Sequence, residues 1–187
     1  MNQDLVRNNC LPLPNFLLPQ QALSFHQSFF DFVENNALSG DEQVQRSSSS
    51  YNYPLFFRLL LDSVIRVSDI LGEYVLPTYS YARLYHNGAD LKKHSDRDAC
   101  EISLTIHLYG DKVWPIYFQR PDGSEVCLLQ QPGDAALYLG CESKHWREAY
   151  EGQFYSQVFL HYVRANGPKA YTYFDRKTEK DIVIMNG

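Results

Sequence analysis

Three side chains in this sequence, His94, Asp96 and His145, have the types and spacing to hold a metal ion. In an extended segment alternate side chains point the same way, so in His94-Ser95-Asp96 an imidazole and a carboxylate can face one ion. That triplet alone carries little weight, because a surface histidine beside a solvated aspartate reads the same. His145 adds a third donor from far along the chain, after a Pro132-Gly133-Asp134 turn and an apolar run over 135–139. Two imidazoles and one carboxylate on one face of an octahedral ion leave three positions open. Non-haem Fe(II) oxygenases need such a set, for a bidentate oxo-acid and O2, whereas structural zinc is closed by four ligands. The other histidines have plainer readings. His26 falls in a helical pattern and His86 beside a turn, while His107 and His161 lie in apolar strands where a satisfied core histidine is the simpler assignment. Of these only His161 rivals His145.

Elements must bring these residues together. From residue 77 the texture is short β-branched and aromatic runs, which predict strands near 80–85, 102–108, 114–118, 126–131, 135–139, 145–149 and 155–163. The breaks fall at Asn87-Gly88, Gly110-Asp111, Pro121-Asp122-Gly123, Pro132-Gly133-Asp134 and Gly152. Strands at this spacing with no helices between them argue for a sandwich or barrel. Ahead of them, Pro19 opens a helix carrying Ala22, Leu23, Phe29, Phe30 and Val33, which Asn35, Asn36 and Gly40 end. A second helix starts near Pro54, presents Leu55, Leu59, Leu60, Val64, Val67 and Leu71, and closes at Gly72. The polar stretch 39–52, with four consecutive serines, reads as a flexible loop that could serve as a lid.

Composition bounds the rest. With 187 residues, 44% hydrophobic and 21% charged, the chain suits a single domain: a helical part over 1–76, a β-barrel core over 77–165 and a polar tail over 166–187. The net charge of −5 and the lack of a basic block give no indication of nucleic acid. Four cysteines without a CxxC read as reduced thiols in a cytoplasmic protein, and the apolar run 11–18 is broken by Pro12 and Pro14, so no membrane span is expected.

The segment from Tyr85 through Gly88 to His94-Ser95-Asp96, followed by Pro132-Gly133-Asp134-Ala135-Ala136-Leu137-Tyr138 and His145, resembles the prolyl-4-hydroxylase-like family of Fe(II)/2-oxoglutarate-dependent dioxygenases. The resemblance runs roughly over 79–163. It implies a mainly β fold, a double-stranded β-helix (jelly-roll barrel) with the N-terminal helices packed outside. It implies Fe(II) on His94, Asp96 and His145, 2-oxoglutarate as cosubstrate with O2, and hydroxylation of an amino acid, a peptidyl residue or a small metabolite. The alternative is a cupin-like metal-binding β-barrel without oxygenase activity. One feature of the family is missing. Its members usually carry a basic residue about ten positions after the distal histidine, to pair with the far carboxylate of 2-oxoglutarate, yet residues 153–157 here are Gln, Phe, Tyr, Ser and Gln. Arg147 shares the parity of His145 and is the first candidate for that task. Arg83 is the second, and Tyr85 offers a phenolic hydrogen bond.

Overall fold

The computed structural model describes residues 2–175. Helix α1 (Gln3–Asn8), strand β1 (Cys10–Leu13), helix α2 (Pro19–Asn36), strand β2 (Ser47–Tyr51) and helices α3 (Pro54–Asp62) and α4 (Val64–Leu71) come first. Strands β3 (Val75–His86), β4 (Leu91–His94), β5 (Ile102–Gly110), β6 (Ile116–Gln119), β7 (Glu125–Leu128), β8 (Ala135–Tyr138), β9 (His145–Arg147) and β10 (Phe154–Arg164) follow. They form two antiparallel sheets, a six-stranded one ordered β1-β8-β5-β10-β3-β2 and a four-stranded one ordered β4-β9-β6-β7.

Alternation along the long strands decides what each face of the large sheet does. Ala82 and Leu84 of β3, Ile102, Leu104, Ile106 and Leu108 of β5, and Val158, Leu160 and Tyr162 of β10 share one face. They form a single core with Ala22, Phe29 and Val33 of α2, Phe56 and Leu60 of α3, and Val67 and Leu71 of α4. Truncating a side chain such as the fully buried Phe56 to alanine would cost about 3–5 kcal/mol. The opposite face is unusually polar. Paired across the strands, Arg83, Gln157 and His107 make one row, Tyr81, Phe159, Thr105 and Ala136 the next, and His161, Ser103 and Tyr138 a third. This face meets the small sheet, through contacts such as Phe118 with Tyr138 and Arg147 with Gln157. The core of the molecule therefore sits between the helices and the large sheet, and the space between the sheets is left for polar residues.

Four local features differ from the sequence-based expectation. The serine-rich part of 39–52 is a strand, because β3 is long enough to offer its free edge to Ser47–Tyr51. Ser47 and Ser48 are buried there, with their hydroxyls on Val44 O and His86 Nε2. The proline-broken segment near residue 11 is also a strand, tolerated because it lies at a sheet edge. The helix expected from Pro54 to Gly72 is two helices. Tyr162 donates its hydroxyl to Leu60 O, the carbonyl that a continuous helix would spend on residue 64, and the chain turns at Ser63. Leu23 is exposed on α2 and takes no part in the core.

Candidate active site

His94 and His145 are cross-strand partners in the small sheet. That register sets their rings 4.3 Å apart and makes two histidines 51 positions apart in sequence into neighbours. Each Nδ1 meets a backbone carbonyl two residues back, His94 on Lys92 O at 2.7 Å and His145 on Ser143 O at 3.0 Å. A carbonyl only accepts, so Nδ1 carries the hydrogen and Nε2 becomes the ligand atom. Both Nε2 atoms turn to Asp96 Oδ1, at 3.5 and 3.6 Å.

Asp96 comes from the segment after β4, pinned by its N–H to Gly140 O at 2.8 Å. Gly140 has to be a glycine. A Cβ there would lie 2.6 Å from Asp96 Oδ2 and collide with the backbone of Cys100. This residue escapes a reading that looks for donors, because its contribution is empty space.

The three donors thus converge: one ligand atom from each of His94, Asp96 and His145 lies within 4.8 Å of the others. Burial would raise the Asp96 carboxyl, but the His94 hydrogen bond and the neighbouring imidazoles hold it below the usual carboxylate range. Burial would lower His94, yet its bonds to Asp96 and Lys92 O keep it above its ordinary value, while burial pushes His145 down. Two imidazole nitrogens and a carboxylate oxygen aimed at one point are a donor set that a divalent cation fits. Trp146, between His145 and Arg147 on β9, turns the other way and stacks on Tyr117.

The triad opens into a cavity of about 370 Å³ whose walls include Tyr79, Tyr81, Arg83, Tyr138, Phe159 and His161. Residues 41–43, from the part of the predicted loop that stays irregular, close one side. Asp41 accepts from Tyr81 Oη at 2.5 Å and from Arg83 Nη2 at 2.6 Å. Gln43 accepts from Arg83 at 2.7 Å and sets its amide nitrogen 2.9 Å from His94 Nε2.

The two other residues expected to meet a cosubstrate do not line this cavity. Arg147 and Tyr85 lie deeper between the sheets, both buried. Arg147 donates to Trp114 O at 2.5 Å, Gln157 Oε1 at 2.8 Å and Gln130 Oε1 at 3.4 Å, all of them neutral. Among the described residues no carboxylate pairs with it. Gln157, whose backbone position is where a basic residue was sought, is the cross-strand neighbour of Arg83 and so stands between two guanidinium groups. The hydroxyls of Tyr85 and Tyr155 are buried and have no hydrogen-bond partner. His107 stacks on Tyr155 at 4.1 Å, and burial, then the charge of Arg147, push its imidazole down to about 3. His26 is buried too, hydrogen-bonded to Ser156 Oγ and stacked on Tyr109 and Phe154, a packing role.

The sequence matches no protein-family model, and no curated protein is significantly similar to it. Solved structures are similar to it in fold. A prolyl-4-hydroxylase from Pseudomonas putida aligns with a TM-score of 0.71 over 87% of this chain and 96% of its own, at 15% identity. HygX from Streptomyces hygroscopicus, crystallised with nickel and 2-oxoglutarate, gives 0.69 over 88% and 86% at 12% identity. The epimerase SnoN, in complex with Fe3+, alpha ketoglutarate and nogalamycin RO, gives 0.71 over 94% and 88% at 13% identity.

Proposed function

We propose that this chain is a double-stranded β-helix oxygenase that uses Fe(II), 2-oxoglutarate and O2 to hydroxylate a small molecule or a peptide residue. One observation carries the reading. Within a fold like that of metal- and 2-oxoglutarate-bound enzymes, the cross-strand pair His94 and His145 meets Asp96 at the wall of a cavity. His94, Asp96 and His145 would hold the iron. When bound, Fe(II) would let O2 be reduced by 2-oxoglutarate and a substrate C–H bond together, so that one oxygen atom ends in succinate as CO2 leaves and the other in the hydroxyl of the product.

The chain's own residues divide the remaining work. The Lys92 and Ser143 carbonyls hold both imidazoles in the ligating tautomer. Arg147 binds the far carboxylate of 2-oxoglutarate. A buried guanidinium with only neutral partners is costly, and an anion repays that cost. The unpartnered Tyr85 hydroxyl adds a donor, and Arg83 flanks the same recess across Gln157. Tyr51, Tyr79, Tyr81 and Phe159 give the cavity an aromatic wall that excludes water and packs the substrate. The cavity's volume suits a small substrate or a single inserted side chain. No helix among the described residues is long and apolar enough to cross a membrane, and all four cysteines are free, as suits a cytoplasmic protein.

Succinate formation from 2-oxoglutarate, followed across a panel of amino acids and peptides with anaerobically loaded Fe(II), tests the proposal. The expected result is iron-dependent turnover stimulated by at least one substrate class. A protein that binds iron through the triad but neither binds nor consumes 2-oxoglutarate would be a cupin-like binding barrel.

A further inference from the structure

Asp96 belongs to a second convergence of ligand atoms. One atom each from Asp96, Cys100 and His161 also lies within 4.8 Å of the others, and all three residues line the cavity. We propose that Asp96, Cys100 and His161 form a second metal site, which takes a thiophilic divalent ion such as Zn2+ beside the iron position and shares the Asp96 carboxylate with it.

The two oxygens of Asp96 face different ways. Oδ1 addresses His94 and His145, whereas Oδ2 lies 3.2 Å from Ser103 Oγ. Ser103 in turn is 2.9 Å from His161 Nδ1, its cross-strand neighbour. The single hydroxyl hydrogen of Ser103 can serve only one of Asp96 Oδ2, Cys100 O and His161 Nδ1, and when it serves either oxygen the serine accepts from His161. In that arrangement His161 Nδ1 carries the hydrogen and Nε2 is left to bind an ion, the same outer support that the backbone carbonyls give His94 and His145. Cys100 ends the short helical turn Asp98–Cys100 directly after Asp96, and its Sγ lies 3.0 Å from Tyr79 Oη. That hydroxyl can donate to a thiolate once an ion has displaced the thiol proton.

Sulfur separates the two sites chemically. The iron triad offers two nitrogens and an oxygen, while the second set offers a thiolate, a nitrogen and an oxygen. Thiolate with imidazole selects zinc or cobalt over magnesium and calcium, and three protein ligands leave a fourth position open toward the cavity.

Cobalt reports the difference, since only a sulfur ligand gives an intense thiolate-to-cobalt absorption in the near ultraviolet. In an anaerobic Co2+ titration of the His145→Ala variant, which disables the triad, that absorption should appear at one equivalent. It should be lost when Cys100→Ser is added. Nickel binding to the triad in the single Cys100→Ser variant checks that its fold is intact. A His145→Ala protein without the absorption, or one that keeps it after Cys100→Ser, overturns the proposal. The second measurement needs no variant. X-ray absorption of the wild-type protein loaded with two equivalents of zinc should show sulfur at about 2.3 Å, averaging about half a sulfur per zinc because the triad takes the other ion, and a shell with no sulfur overturns it equally.

Discussion

The space between the sheets has two ends, and they are charged oppositely. At one end His94, Asp96 and His145 gather a carboxylate and two imidazoles. At the other, Arg147 lies buried among Trp114 O, Gln130 and Gln157, with no carboxylate beside it among the described residues. Elsewhere the protein balances its charges: Arg164 bonds Glu101 and Glu73, and Arg83 bonds Asp41. Asp96 has two imidazoles and the Ser103 hydroxyl against it, whereas leaving the buried Arg147 charge without a carboxylate costs several kcal/mol, so that place above all suits a charge the fold does not itself supply. The negative end fits a metal cation and the positive end a carboxylate, which is the pairing that iron and 2-oxoglutarate provide.

The negative end breaks with His145→Ala. Losing a ligand should weaken Fe(II) binding well beyond the roughly 10–100-fold that an outer-shell change costs, while circular dichroism shows the fold retained. Wild-type iron affinity in this variant, measured by equilibrium dialysis, would move the site to other residues, with His161 the next to test.

The positive end allows a sharper test, because a structural arginine and a ligand-binding one predict opposite changes. Arg147→Gln should weaken 2-oxoglutarate binding by at least about a hundredfold, from the roughly 3–5 kcal/mol lost with one partner of a buried charge pair, and should leave iron affinity nearly unchanged. Arg147→Met should raise the Tm of the ligand-free protein, since it removes an unmatched buried charge, and should abolish the further rise that 2-oxoglutarate gives the wild type. A lower Tm with normal 2-oxoglutarate binding would make Arg147 a packing residue and direct attention to Arg83.

The smallest effect concerns the segment that leans on the negative end. Gln43 offers its amide to His94 Nε2, the atom a metal would take. Gln43→Ala should therefore tighten iron binding by about fivefold, the worth of one competing hydrogen bond of ~1 kcal/mol. Unchanged affinity in a calorimetric titration would mean that the amide moves aside without cost.

The residue types of the candidate metal end could be read from the sequence because strand parity is a local rule: two positions apart on an extended chain means the same face. Short β-branched and aromatic runs between turn residues predicted the strand that carries Ile102, Leu104 and Ile106, and Pro19 and Gly72 marked helix ends through their own backbone preferences. Those features depend on a few neighbouring residues. Register, edges and empty space depend on partners that the local sequence does not name. Only the tertiary structure set His94 opposite His145, gave Ser47–Tyr51 a strand to pair with, and required Gly140 to stay bare so that Asp96 could approach. It also separated Arg147 from the cavity wall. Parity correctly turns Arg147 to the same side as His145, but how far along the interior a side chain ends up is fixed by what packs around it, here Trp114, Gln130 and Gln157.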